Sequence, residues 1–348
     1  YLGLGNSFMD TTADLRDSPL LDDKFVERLN LSMKELTEFR RWKSATLPYA
    51  RYLVTTSPGT SSAVAFTSYF LAHRTPGTYE WSEAPLADIP DKVVETDIPA
   101  LWLAKKKQGL YYGGEATGNR VRHLMQFFSA PGSTLADLEA AKDDFQDVLA
   151  YMSHLQPPRY PYDVDQALVL QGRSIFDENC SSCHGTYGPE GVYPDMIVPI
   201  WKVGTDPERW NLSRHPGAID HYNSLWHGQD GATMALTEGY SAPPLEGVWA
   251  TAPYLHNASI PSLEDLLRPE SERPRYFIRS WTSRSYDPRR VGWQVEILPH
   301  GKEGEKDPGR RIKIYDTDQF GKSNRGHLFG TELPSNQRQA LLEYLKSL

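Results

Sequence analysis

Cys180-Ser181-Ser182-Cys183-His184-Gly185 is the stretch on which the reading of this chain turns. Two thiols three positions apart lie on one turn of backbone, where they reach the two vinyl groups of a haem and form thioether bonds. The histidine that follows lies under the iron and supplies the proximal imidazole. Gly185 has no side chain, so the backbone is free to turn away beside the macrocycle. A Cys-x-x-Cys pair also occurs as a redox dithiol or as half of a zinc site. Cys180 and Cys183 are the only cysteines in 348 residues, so no second pair completes a zinc site. A redox dithiol does not ask for the histidine. The spacing therefore predicts one covalent haem c on Cys180 and Cys183, with His184 bound to the iron.

Working outward, a helix from about residue 164 to 176 leads straight into the motif and carries Gly172 and Phe176. A last helix, capped by Ser335 or Asn336, holds Ala340, Leu341, Tyr344, Leu345 and Leu348 on one face. In small c-type cytochromes the first and last helices cross near the haem, with a glycine on one and an aromatic on the other. Gly172 and Tyr344 are the candidates for that crossing. They bracket a haem domain over 162–348. Between them, Pro261–Leu267 reads as a short helix capped by Ser262. The alternating runs 291–297 and 311–315, joined by the charged loop 301–309, read as an inserted β-hairpin.

Upstream, Pro157-Pro158-Arg159-Tyr160-Pro161 reads as a stiff linker. Residues 1–156 hold no cysteine and read as a mostly helical, haem-free domain. Leu21–Leu31, Ser32–Leu53 and Leu135–Leu155 carry apolar residues at helical steps. The last is capped by Thr134 and Asp137 and predicts a buried stripe of Leu138, Ala141, Phe145, Val148, Met152 and Leu155. His73, His123 and His154 read as structural. The fold class is thus mainly α: a cytochrome c-type domain with an inserted hairpin, preceded by a helical domain.

Hydrophobic residues make up 39% of the chain and aromatics 11%, enough for a substantial core. A formal charge of −8 argues against a nucleic-acid partner. No apolar run approaches the ~20 residues of a membrane span. A start at Tyr1 and a haem motif with no spare cysteine predict an extracytoplasmic, periplasmic setting, reached by a secretory signal since removed.

The second axial position decides the function: a protein ligand makes an electron carrier, an open position a site for oxygen or peroxide. His215, His221, His227, His256, His300, His327, Met196 and Met234 all follow the motif. His300 is discounted for its charged loop, and a methionine more often fills core space.

Thr251-Ala252-Pro253-Tyr254-Leu255-His256-Asn257-Ala258-Ser259-Ile260-Pro261-Ser262-Leu263 resembles the signature of bacterial dihaem cytochrome c peroxidases. Their relatives include the methylamine-dehydrogenase maturation enzyme and the rubber oxygenases. Gly326-His327-Leu328-Phe329-Gly330 resembles the segment that supplies a distal histidine in the rubber-oxygenase branch. The resemblance covers roughly 97–348 and implies His327 as the second ligand. It makes His256 a structural or supporting histidine. The peroxidase-type methionine ligand is replaced by Glu270, and the second haem motif of dihaem relatives has no counterpart in residues 1–156: either this half is a degenerate cytochrome-like domain that has lost its haem, or the haem-bearing part lies upstream of Tyr1. The resemblance implies a single-haem electron carrier, working with redox protein partners or inside a larger electron-transfer assembly. The alternatives are a haem-dependent oxygenase or peroxidase with an open distal site, and a structural subunit with an ancillary haem.

Overall fold

The computed structural model describes residues 32–46, 55–57, 59–280 and 282–348. The helix expected over Leu21–Leu31, and positions 47–53 of the next one, lie outside them. Among the described residues helices far outweigh the small sheets, so the molecule is mainly α.

The five longest helices among the described residues are α1 (Met33–Thr46), α2 (Ala63–Ala72), α3 (Leu135–His154), α4 (Gln166–Asn179) and α5 (Ser335–Ser347). α2 is apolar almost all round and is buried at Ala65, Tyr69, Phe70, Leu71 and Ala72. α3 starts with the expected capping box, Thr134 and Asp137 each closing on the other's backbone. Its inward stripe runs through Leu138, Ala141, Phe145, Leu149 and Met152. Leu149 replaces the expected Val148, which is 43% exposed. The two positions flank the stripe 100° apart, and periodicity alone does not choose between them. The N-terminal stretch is also less helical than expected, because residues 73–100 hold no helix. His73 and His123 are structural: His73 Nδ1 binds Ser82 O, and His123 binds Tyr222 Oη and Thr117 O.

α4 and α5 cross as expected. A Cβ at Gly172 would lie 2.0 Å from Ala340 O and 2.8 Å from Tyr344 Cβ, so only glycine permits the approach. Phe176 and Tyr344 pack with ring centres 5.2 Å apart. Around them Ile260, Leu263, Leu267, Leu341 and Leu345 form the main core, each worth about 1.5–3 kcal/mol on burial. α5 lacks the expected side-chain cap; Pro334 opens it instead.

The inserted β unit corrects the hairpin. Strands β1 (Tyr276–Arg279), β2 (Val295–Ile297) and β3 (Ile314–Asp316) form one antiparallel sheet in the order β2-β1-β3. β2 and β3 do not pair with each other; each pairs with β1. The chain between them is too long for a tight turn and includes helical turns at Lys302–Gly304 and Pro308–Arg311. The missed element is the aromatic and β-branched run Tyr276-Phe277-Ile278.

Segments before and after 157–161 pack on one another. Ala116–Thr117 pairs with Thr233–Met234. Arg209 and Glu115 form a buried ion pair at 2.6 Å, and Lys322 and Glu95 one at 2.9 Å. Pro158 O accepts from Trp249 Nε1, and Tyr160 Oη donates to Pro288 O. Among the described residues no helix is long and apolar enough to cross a membrane.

Candidate functional site

α4 delivers the cysteine motif. Asp165 caps its start by accepting from Ala167 N and Leu168 N, and its end runs into Cys180. One further helical turn follows, with Cys183 N and His184 N both donating to Cys180 O at 3.1 and 3.0 Å. That turn puts both thiols and the imidazole on one cavity wall. Gly185 then adopts φ +82°, and a Cβ there would sit 2.3 Å from Val192 O. His184 Nδ1 donates to Pro243 O at 2.8 Å. This fixes the ring and leaves Nε2 free of that proton, the usual support for a metal-binding histidine. The thiols are free, and burial, then the neighbouring Cys183, pushes Cys180 up to about 12. Reactive redox cysteines are shifted the other way. Among the described residues no group of three or more His, Cys, Asp or Glu could hold a metal ion.

His327 stands on the opposite wall, and distant parts of the chain hold it there. Its N–H donates to Val203 O at 2.7 Å. Gly326 and His327 both take left-handed backbone, φ +74° and +48°, a conformation held by its surroundings and often found at functional sites. A Cβ on Gly326 would lie 2.2 Å from Gly204 C. The buried Arg273 guanidinium donates to Asn324 O, Gly326 O, Leu266 O and Arg268 O at 2.7–3.1 Å. Glu270 Oε1 accepts from Gly326 N at 2.6 Å. The residue that sequence comparison reads as a lost ligand therefore braces the loop of another candidate ligand.

The rings of His184 and His327 face each other with centres 6.1 Å apart. An imidazole nitrogen sits about 2 Å from a bound metal and roughly 1 Å from its own ring centre, so two imidazoles on one iron have centres about 6 Å apart. His327 Nδ1 is buried without a partner. Burial lowers the affinity of both rings for protons, that of His327 to about 4 with a further push from His184. Both are thus neutral, the state in which imidazole ligates. They line a cavity of about 870 Å³ together with Cys180, Cys183, Phe176 and Leu341. These residues fit a haem attached through Cys180 and Cys183 and held between His184 and His327.

The other candidates fall elsewhere. His256 is 5% exposed, its ring 4.4 Å from that of Tyr240, and burial pushes it down to about 3; it supports the wall. His215, His221 and Met234 line the cavity away from any ring contact with His184, and His221 Nε2 binds Leu71 O. His227 is enclosed by Tyr79 Oη and Arg122 O, and His300 binds Gly301 O. Met196 does not line the cavity. Sequence reasoning missed the brace of Glu270 and Arg273; the only signal was a charged pair three residues apart, a common surface pattern.

Residues 239–278 match the family model "RoxA-like, cytochrome c-like". That stretch holds Pro243, His256, Glu270 and Arg273, the support for both rings rather than the cysteine motif. The chain is similar to the "uncharacterized protein y4iM" of Sinorhizobium fredii, with 29% identity covering 69% of this chain and 58% of that one. It is also similar to "uncharacterized protein y4iJ" of the same organism, with 26% identity covering 56% and 41%. The chain thus spans about half the length of these curated relatives.

Proposed function

We propose, from the premise that this chain is a cytochrome c-like relative of the RoxA and dihaem peroxidase superfamily, that it is a one-electron carrier. Cys180 and Cys183 hold one covalent haem c, and His184 and His327 are its axial ligands. The 162–348 stretch carries the haem, residues 1–156 give the iron no ligand, and 157–161 links the two. The setting is extracytoplasmic, and the partners are redox proteins or a larger electron-transfer assembly. One observation carries the proposal: the 6.1 Å separation of the two rings. An iron with imidazole on both faces changes oxidation state without changing ligands, which suits electron transfer. The chain's part is to fix the His184 ring through Pro243 O and the backbone of the His327 loop through Glu270, Arg273 and Val203, with both rings buried and neutral. That spacing leaves no room for oxygen or peroxide, which disfavours the oxygenase or peroxidase alternative.

The test is the holoprotein's spectrum. One haem per chain should stay attached on a reducing gel, and the iron should be low-spin and slow to bind carbon monoxide. His327→Ala should give high-spin iron that binds carbon monoxide rapidly. If acid-acetone extracts the haem, covalent attachment fails. If the unaltered protein is high-spin and takes carbon monoxide at once, the oxygenase or peroxidase alternative replaces electron transfer.

A further inference from the structure

One part of the cavity wall is built for an anion. Three Lys or Arg side chains line the cavity among the described residues: Lys107, Lys202 and Arg209. Lys202 is exposed, Lys107 is half-buried and Arg209 is 5% exposed. Glu115 Oε1 accepts from Arg209 Nη2 at 2.6 Å, and Arg209 Nε is left buried with no partner. Thr205 Oγ1, four positions earlier, is a second buried polar atom without a partner, and Thr205 also lines the cavity. Leaving one such group unpaired costs about 1–3 kcal/mol. The tyrosine hydroxyls of the same wall do not meet that need. Tyr111 donates to His123 O, Tyr112 to Asp97 O and Tyr240 to Asp206 O.

Charge points the same way. Lys107 Nζ donates to Tyr111 O at 3.0 Å, and its charged neighbours are Asp195, Glu115 and Arg120. With Arg209, three cations stand against two carboxylates, so the cluster has room for one more negative charge. Burial is the largest influence on Lys107 and lowers its affinity for protons; a nearby anion offsets that cost. Asp206 accepts from Glu208 N and Ser323 N and does not line the cavity.

Position selects the anion. Thr205 lies two residues after Val203, whose carbonyl holds the His327 loop. The unpaired donors thus belong to the wall beside the axial pair. A haem carries two charged substituents, its propionates, on the edge away from the vinyl groups that Cys180 and Cys183 take.

We propose, on the reading that the cavity holds a haem c, that Arg209 and Thr205 donate hydrogen bonds to one haem propionate and that Lys107 neutralises its charge.

The test uses the holoprotein and reads two quantities, the propionate bending band in the resonance Raman spectrum and the midpoint potential. Thr205→Val, similar in shape, should shift the band through one lost donor. Arg209→Met combined with Glu115→Leu leaves no buried charge unpaired and should shift it further. Lys107→Met should move the redox equilibrium about tenfold toward ferric haem, about 59 mV for one electron, because a cation beside the propionate favours the added electron. Lys105→Met removes the same charge from an exposed lysine outside the cavity and should change neither reading. Two results would overturn the proposal while haem stain and low-spin iron persist in the same samples. One is a band unmoved in both Thr205→Val and the double variant. The other is a potential no different between Lys107→Met and Lys105→Met. Loss of haem stain from the unaltered protein on a denaturing gel would instead overturn the haem reading on which the proposal rests.

Discussion

His184 and His327 face each other across one cavity and are held by opposite means. His184 sits five residues past the end of α4, and its position follows from one helical turn begun by Cys180. Only the carbonyl of Pro243 comes from afar. His327 has no helix of its own. Its strained loop is held by Val203, Gly204, Glu270 and Arg273, between 54 and 124 positions earlier in the chain. A local motif therefore builds the wall that carries His184, and tertiary packing builds the one that carries His327. Damage to the first should cost the cofactor, and damage to the second should cost the ligand while leaving the cofactor attached.

Five variants probe that contrast, beside the His327→Ala test. Replacing Cys180 and Cys183 together by Ala should abolish covalent haem, read as loss of haem stain on a denaturing gel. Retained stain would break the proximal assignment. Arg273→Met should destabilise the fold by about 3–5 kcal/mol, because it strips donors from five carbonyls and empties a buried site. Denaturant unfolding measures the loss, and surviving holoprotein should contain high-spin iron with its haem still attached. Gly326→Ala should cost about 1–3 kcal/mol, since alanine must hold left-handed backbone against Gly204. The spectrum should show mixed spin states; a purely low-spin spectrum would mean that the loop has slack. Glu270→Ala should have the smallest effect, about 1 kcal/mol, through one lost hydrogen bond on an exposed side chain. Glu270→Gln keeps an acceptor oxygen and should recover most of that, whereas equal damage from both would point to the charge instead.

The same contrast marks what could be read in advance. The α4–α5 crossing was legible because a glycine in an amphipathic helix has few other uses, and Gly172 meets Ala340 and Tyr344 as expected. The α3 capping box was legible because its residues are three apart in the chain. The sheet was misread because strand pairing is not local. β2 and β3 each alternate, but their shared partner β1 lies 15 or more residues before either, and alternation says nothing about which strand is the neighbour.

By itself the sequence determined the haem motif, the helices that flank it and the shortlist of second ligands, because each rests on residues within about one helical turn of one another. It named His327 only through resemblance to known proteins. The tertiary structure decided that the rings of His184 and His327 stand 6.1 Å apart. It decided that Glu270 braces the loop that carries His327. These are distances between residues far apart in the chain, set by which surfaces bury each other, and no local pattern encodes them.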